Sequence, residues 1–319
     1  MRPHDHGDVI TTRGDVTAVV LNGRDGIDDA LALLDRAEEA AAVPLVDESE
    51  RHRLQELAQS RLERPGHWHS VLARRGSAAV GYAGIVLDGD DVPATADVAL
   101  DRNMTPREPV LTVLFESLRT LATDHGAPRL RIWLRHASAP DVACAANDGF
   151  FIDRRLGVLG LDLTSPPATA EPQDGLTIRP FAEQDATDVV EVLATAYEGT
   201  PDAGWDRARF DSRRGMPWYR AEDLLVAVRA DEVVGIHWTK RRGSGVGEVY
   251  NLAVRPDSHG HRLGAALLEA GLRHLYEVGC RRVLLWVDLS NERALRLYVS
   301  HGFSTRWEDL ALGRTLTAG

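Results

Sequence analysis

Cysteine is almost missing from this chain of 319 residues: Cys144 and Cys280 are the only two, and they stand in no paired spacing. That scarcity argues against a disulfide framework or a thiolate zinc site and favours a reducing, cytoplasmic setting. Positive charge is in deficit as well, with 37 Lys and Arg against 48 Asp and Glu and a formal net charge of -11 at pH 7. Repulsion of that sign speaks against nucleic acid and membrane as partners, although a local basic cluster could still hold phosphates. No apolar run approaches the length of a membrane span, and the N-terminal stretch MRPHDHGDVITTRGD lacks the apolar centre of a signal peptide. His4, Asp5 and His6 within it have no companion ligands close by, so residues 1–15 read as a frayed polar tip and no metal is expected.

The length suits two domains of about 150 residues, each able to bury a core. Apolar periodicity predicts a strand at 17–21, helices over 27–42 and 50–62, a hairpin from 71–73 and 78–87, and a strand at 97–100. A helix over 110–125, a strand at 130–134, a short helix over 139–147 and a strand at 156–163 follow. Residues 165–175, SPPATAEPQDG, are rich in proline, polar and without period, as a linker is. After them the order of elements recurs, with strands at 176–178, 224–228 and 233–239, a helix over 182–196, and a polar segment over 199–217. A shift of about 153 residues lays Gly302-Phe303 on Gly149-Phe150 and Leu252-Ala253-Val254 on Val98-Ala99-Leu100, the mark of tandem duplication. The reading is therefore an N-terminal domain over 1–164, a linker over 165–175 and a C-terminal domain over 176–319, in a chain expected to be monomeric.

The stretch Gly247–Gly264, GEVYNLAVRPDSHGHRLG, reads as a strand, a break at Arg255-Pro256-Asp257, and the first turn of a helix. A strand that stops just before a helix N-terminus exposes unpaired N–H groups, and these with the helix dipole make a cradle for a pyrophosphate. A second block, the apolar run 283–287, is followed by Asn291 capping a helix that carries Ala294, Leu295 and Tyr298 and closes at Gly302-Phe303. This ordered set resembles the GCN5-related N-acetyltransferase (GNAT) family, whose members bind acetyl-CoA; the likeness is specific over residues 176–310 and weak before them. The wording of 235–240 (GIHWTK), 247–250 (GEVY) and 291–303 is similar to those members that acetylate the cysteine amine of a cysteinyl-glucosamine-inositol.

The resemblance implies an α/β fold of two tandem GNAT-like domains, each a mixed, mostly antiparallel sheet flanked by helices with a splayed central strand pair. It implies Glu248 as general base and Tyr298 as general acid, with acetyl-CoA as co-substrate. The acetyl oxygen and pantetheine arm would lie on the amides of Leu252, Ala253 and Val254. The pyrophosphate would lie on His259, Gly260, His261, Arg262, Leu263, Gly264 and Ala265. Asn291, Glu292, Arg293, Ala294, Leu295 and Arg296 would complete the cofactor site, and Asp47, Asp202, Lys240, Trp286 and Glu248 would meet the acceptor. This chain departs from the pattern in two places: Arg262 replaces the middle glycine of the phosphate turn, and Trp286 stands where the family often has tyrosine. His259 and His261 read as positive side chains beside phosphate rather than metal ligands.

The halves differ where chemistry would sit. Glu248 corresponds to Ala94 and Tyr298 to Ala145, and the first half's turn, Asn103 to Val110, has two prolines without N–H groups and an added carboxylate. The first half is therefore expected to be structural and the second catalytic. Two rivals remain open: the same chemistry on another amine, and a silent acyl-CoA-binding module.

Overall fold

The computed structural model describes residues 9–21, 24–41, 43–59, 67–88, 92–101, 105–167, 175–259 and 262–316. Contacts divide the chain into two compact units, Met1–Leu156 with Trp307–Gly319, and Gly157–Arg306. The composition break at 165–175 lies inside the second of these, and most of it lies outside the described residues. The last residues belong to the first unit because their strand pairs there.

The first unit contains β1 (Val9–Arg13), β2 (Val16–Val20), α1 (Arg24–Ala41), α2 (Glu48–Ala58), β3 (Trp68–Arg75), β4 (Ala78–Val86), β5 (Ala94–Leu100), α3 (Glu108–Asp124), β6 (Arg129–Leu134) and α4 (Ala139–Asn147). The strand β7 (Phe151–Asp162) passes from this unit into the next. The second unit contains β8 (Leu176–Pro180), α5 (Ala186–Ala196), α6 (Arg207–Arg214), β9 (Leu224–Arg229), β10 (Glu232–Gly243), β11 (Val246–Val254), α7 (Leu263–Glu277), β12 (Arg282–Asp288) and α8 (Glu292–Ser300). The final strand β13 (Ser304–Thr315) pairs antiparallel with β6 from Leu310↔Leu134 to Thr315↔Arg129.

Within each unit the sheet is mostly antiparallel with one parallel pair, β5 with β6 and β11 with β12. The order is β1-β2-β3-β4-β5-β6-β13 in the first unit and β7-β12-β11-β10-β9-β8 in the second. Helix α7 shows why the apolar spacing was legible: Leu263, Ala266, Leu267, Leu268, Gly271, Leu272 and Leu275 are all buried, one stripe of a 3.6-residue period. Its approach to β10 is close, since a Cβ on Gly271 would lie 2.0 Å from His237 Nδ1. That ring is fully buried, its Nδ1–H donates to the Leu267 carbonyl at 2.7 Å, and burial lowers its pKa to about 4, so it stays neutral.

Three elements depart from the sequence reading. Strand β1 occupies part of the stretch read as a frayed tip; it pairs with β2, and Thr11 donates to Glu116 of α3 at 2.9 Å. Helix α6 lies in the segment read as merely polar, because Phe210 is its one buried residue and an apolar stripe is missing; Asp206 caps it by accepting from the Arg209 N–H at 2.7 Å. Strand β13 continues past Gly302-Phe303, where the helix reading ended.

Candidate active site

A bulge opens the second unit's sheet. Along β10 and β11 Trp238 pairs with Asn251 and Thr239 with Val249, which leaves Tyr250 as an extra residue on β11. Such a bulge bends the strand and adds twist. The parallel pairing of β11 with β12 runs from Val246↔Arg282 to Val249↔Leu285 and goes no further. Beyond it the free edge of β11 presents backbone groups to no strand, and the Leu252 N–H is donated instead to the hydroxyl of Tyr197, the residue that ends α5.

Glu248 sits just before the opening, 5% exposed, and its Oε2 accepts from Arg242 Nε at 2.6 Å. The Arg242 guanidinium in turn lies 5.1 Å from the ring centre of Trp286 on β12, so an aromatic plate and an arginine orient the carboxylate. Across β10 and β11 Glu248 pairs with Lys240, the only lysine of the chain. Lys240 is 5% exposed, with Nζ 4.4 Å from the ring centre of Trp218 and 5.6 Å from that of Tyr250. A buried ammonium over two aromatic faces gains about 2 kcal/mol from the ring quadrupoles, which offsets part of its lost hydration. It is not a solvated surface charge.

Tyr298 is buried on α8, edge-on to Phe303 with 5.8 Å between ring centres, and burial raises its pKa above the ordinary phenol value. Asn291 caps α8 by accepting from the Ala294 N–H at 3.1 Å. Glu292 pairs with Arg296 one turn on, at 3.0 Å and exposed to solvent, while Ala294 and Leu295 pack on the apolar cluster around Leu268, Leu285 and Tyr298.

At the turn before α7, Gly260 and His261 lie outside the described residues. His259 Nδ1 lies 2.7 Å from Arg293 Nη1 and its Nε2 3.1 Å from the Val254 carbonyl oxygen. Arg293 of α8 is thereby held beside the start of α7. The N–H groups of Leu263, Gly264 and Ala265 have no intrahelical acceptor by helix geometry, and the Ala266 N–H is the first to bond, to the Arg262 carbonyl at 3.0 Å. Arg262 is the N-cap at φ 53° and ψ 16°, in the left-handed region. The middle glycine of the pattern was therefore replaced where glycine's freedom matters, a strain of about 1–2 kcal/mol.

The other sequence-predicted positions scatter. Asp202 is exposed, and its charge acts on Tyr197. Asp47 belongs to the first unit, where it caps α2 by accepting from the Ser49 N–H at 2.8 Å. Sequence reasoning missed Tyr197, Arg242 and Trp218. Nothing in the pattern marks the first, but the rarity of lysine was a signal that Lys240 and its aromatic holder are special. Among the described residues no group of three or more His, Cys, Asp or Glu is placed to hold a metal, and no helix is long and apolar enough to cross a membrane.

The architecture accords with known proteins. The Acetyltransferase (GNAT) family matches residues 187–303. Mycothiol acetyltransferase of Stackebrandtia nassauensis is 37% identical over 248 residues, 75% of this chain and 79% of that protein. Mycothiol acetyltransferase of Actinosynnema mirum is 36% identical over 284 residues, 86% of this chain and 91% of that protein. Among solved structures, a GCN5-related N-acetyltransferase from Sphaerobacter thermophilus superposes with a TM-score of 0.69 at 22% identity, covering 96% of this chain and 97% of its own. A tandem GNAT protein from the clavulanic acid biosynthesis pathway gives 0.69 at 19% identity, covering 95% and 99%. At those identities the two structures speak to the fold alone.

Proposed function

We propose, from the premise that this chain belongs to the GNAT family of N-acetyltransferases, that it transfers acetyl from acetyl-CoA to the cysteine amine of a cysteinyl-glucosamine-inositol, giving mycothiol. The observation that carries the reading is the opened β11–β12 pair, with Glu248 at its closed end and Tyr298 on the helix that follows β12. The names of the relatives support the acceptor.

The residues present suit acetyl-CoA. The free-edge amides of Leu252 and Val254 can hold the pantetheine arm in place of a neighbouring strand, with Ala253 between them turned to β10, and the three N–H groups of α7 with Arg293 can hold pyrophosphate. An α-amine of pKa near 8 is about one-tenth neutral at pH 7, so the base has a small task. Glu248 takes the proton of the attacking amine, and Arg242 keeps its carboxylate pointed. Tyr298, held neutral by burial, donates a hydrogen bond to the sulfur as it leaves and accompanies it with a proton. Lys240 and Trp286 line the acceptor side with Asp202, whereas the Asp47 carboxylate is engaged in capping α2 of the first unit. We place the reaction in a cytoplasmic, reducing setting.

The test is release of free CoA with a panel of acceptors: cysteinyl-glucosaminyl-inositol, its glucosaminyl-inositol parent, an aminoglycoside and a peptide N-terminus. Selective turnover with the first, by tenfold or more in kcat/KM, is expected. Equal turnover on all four amines would leave the acetyl-transfer chemistry and remove the acceptor.

A further inference from the structure

Tyr197 stands at the mouth of the opened strand pair, yet nothing in the mechanism above uses it. It terminates α5, packs with the aromatic and apolar cluster of the second unit, and carries its hydroxyl to the free edge of β11. There the oxygen accepts the Leu252 N–H, and the hydrogen is donated to Asn251 Oδ1 at 3.1 Å. The amide expected to polarise the acyl oxygen thus already ends on a phenol. Burial, with Tyr298 and Asp202 close by, raises the phenol above its ordinary pKa, so it remains a donor across the neutral range.

We propose that Tyr197 is a catalytic residue: its O–H turns from Asn251 to the thioester carbonyl oxygen, while its own oxygen keeps the Leu252 N–H. An N–H···O–H···O=C chain of this kind is cooperative, because a donor to the phenol oxygen makes the phenol hydrogen a better donor. Tyr197 keeps its proton throughout. The amine nitrogen forms the C–N bond, the C–S bond breaks, Glu248 receives the amine proton, Tyr298 accompanies the sulfur, and Tyr197 stabilises the charge that grows and fades on the acyl oxygen. The inference rests on the acetyl-CoA reading and is independent of which amine accepts.

It is tested on the whole chain by isotope-edited infrared spectroscopy of bound acetyl-CoA labelled with carbon-13 at the thioester carbonyl, without acceptor. In Tyr197→Phe the carbonyl band is expected to move to higher frequency with the calorimetric Kd within about threefold, and kcat for CoA release to fall on the order of 10- to 10²-fold. Asn251→Ala, which frees the phenol from its competing acceptor, is expected to move the band to lower frequency and to keep kcat within about threefold; it serves also if the phenylalanine variant fails to fold. An unmoved band in both variants, or tighter binding with unchanged kcat in Tyr197→Phe, overturns the proposal and makes the tyrosine a plug. A shifted band in a protein that does not turn over the cysteinyl acceptor leaves this inference standing and removes the acceptor assignment alone.

Discussion

The two parallel strand pairs are the same device in two states. In the second unit Glu248 pairs with Leu284, and in the first Ala94 pairs with Leu130, both members shifted by 154. On that shift the pairs Ala96↔Ile132, Asp97↔Trp133 and Val98↔Leu134 correspond to positions 250–252 and 286–288, which are unpaired in the second unit. The first pair is zipped three residues further than the second. The cause lies on the neighbouring strand, since β4 and β5 pair without a register shift from Gly81↔Leu100 to Val86↔Thr95, whereas β10 and β11 carry the Tyr250 bulge. Where the first pair ends, Leu45, Arg107 and Arg135 join Val98, Ala99 and Leu100 around a cavity of about 10 Å³, room for about one water. Duplication preserved the frame and its length, and a one-residue slip in how β11 pairs with β10 separates the opened strand pair from the zipped one.

The largest expected effect removes the chemistry that only the opened half carries. Glu248→Gln should lower kcat on the order of 10²-fold or more and Tyr298→Phe by less, with acetyl-CoA binding nearly intact in both. A glutamine variant with full turnover below pH 7 would break the assignment of Glu248, and with it the contrast with Ala94.

The next effect concerns what fills the zipped half. Asp97, the counterpart of Asn251, is buried, and burial raises its pKa to about 7 against the pull of the Arg135 guanidinium, with Asp47 and Glu50 adding repulsion. The folded first unit therefore holds a proton that the unfolded chain has already lost, and stability falls as pH rises from about 4 to about 7. Urea unfolding at pH 5 and pH 8 should show that difference shrink in Asp97→Asn, whereas the second unit carries no equivalent titration at Asn251. An unchanged difference would show that Asp97 does not govern it.

The smallest effect is at Arg262. Arg262→Gly relieves a left-handed φ and should stabilise the fold by about 1 kcal/mol. The lost cation beside phosphate offsets part of any gain in affinity, so the acetyl-CoA Kd should change by less than about tenfold, or under about 1.4 kcal/mol. Binding absent in the natural protein and restored in the glycine variant would support a silent module and break the enzyme reading.

How much of this was legible in the sequence depends on range. Local chemistry was: Asn291 caps α8 as its residue type and spacing led one to expect, and the short helix read over 139–147 is α4. The duplication and the missing Glu248 and Tyr298 counterparts were legible because a repeat needs only self-comparison. The bulge at Tyr250 was not, since positions 248–254 match 94–100 one for one and the slip lies only in how they pair with β10. The sign of φ at Arg262 is a property of the closed turn, and Tyr197 meets Leu252 only once α5 has packed on the sheet. Strand β1 was hidden by polarity, as its partner and Glu116 lie in other elements.

The comparison comes to its sharpest point in the number of acetyl-CoA molecules one chain binds. Isothermal titration calorimetry of the full chain should give one tight site, abolished by closing the second unit's opening and indifferent to substitutions at Arg135 or Arg107 in the first. Two sites of similar affinity, with one lost on changing Arg107, would contradict the claim that the zipped pair is shut.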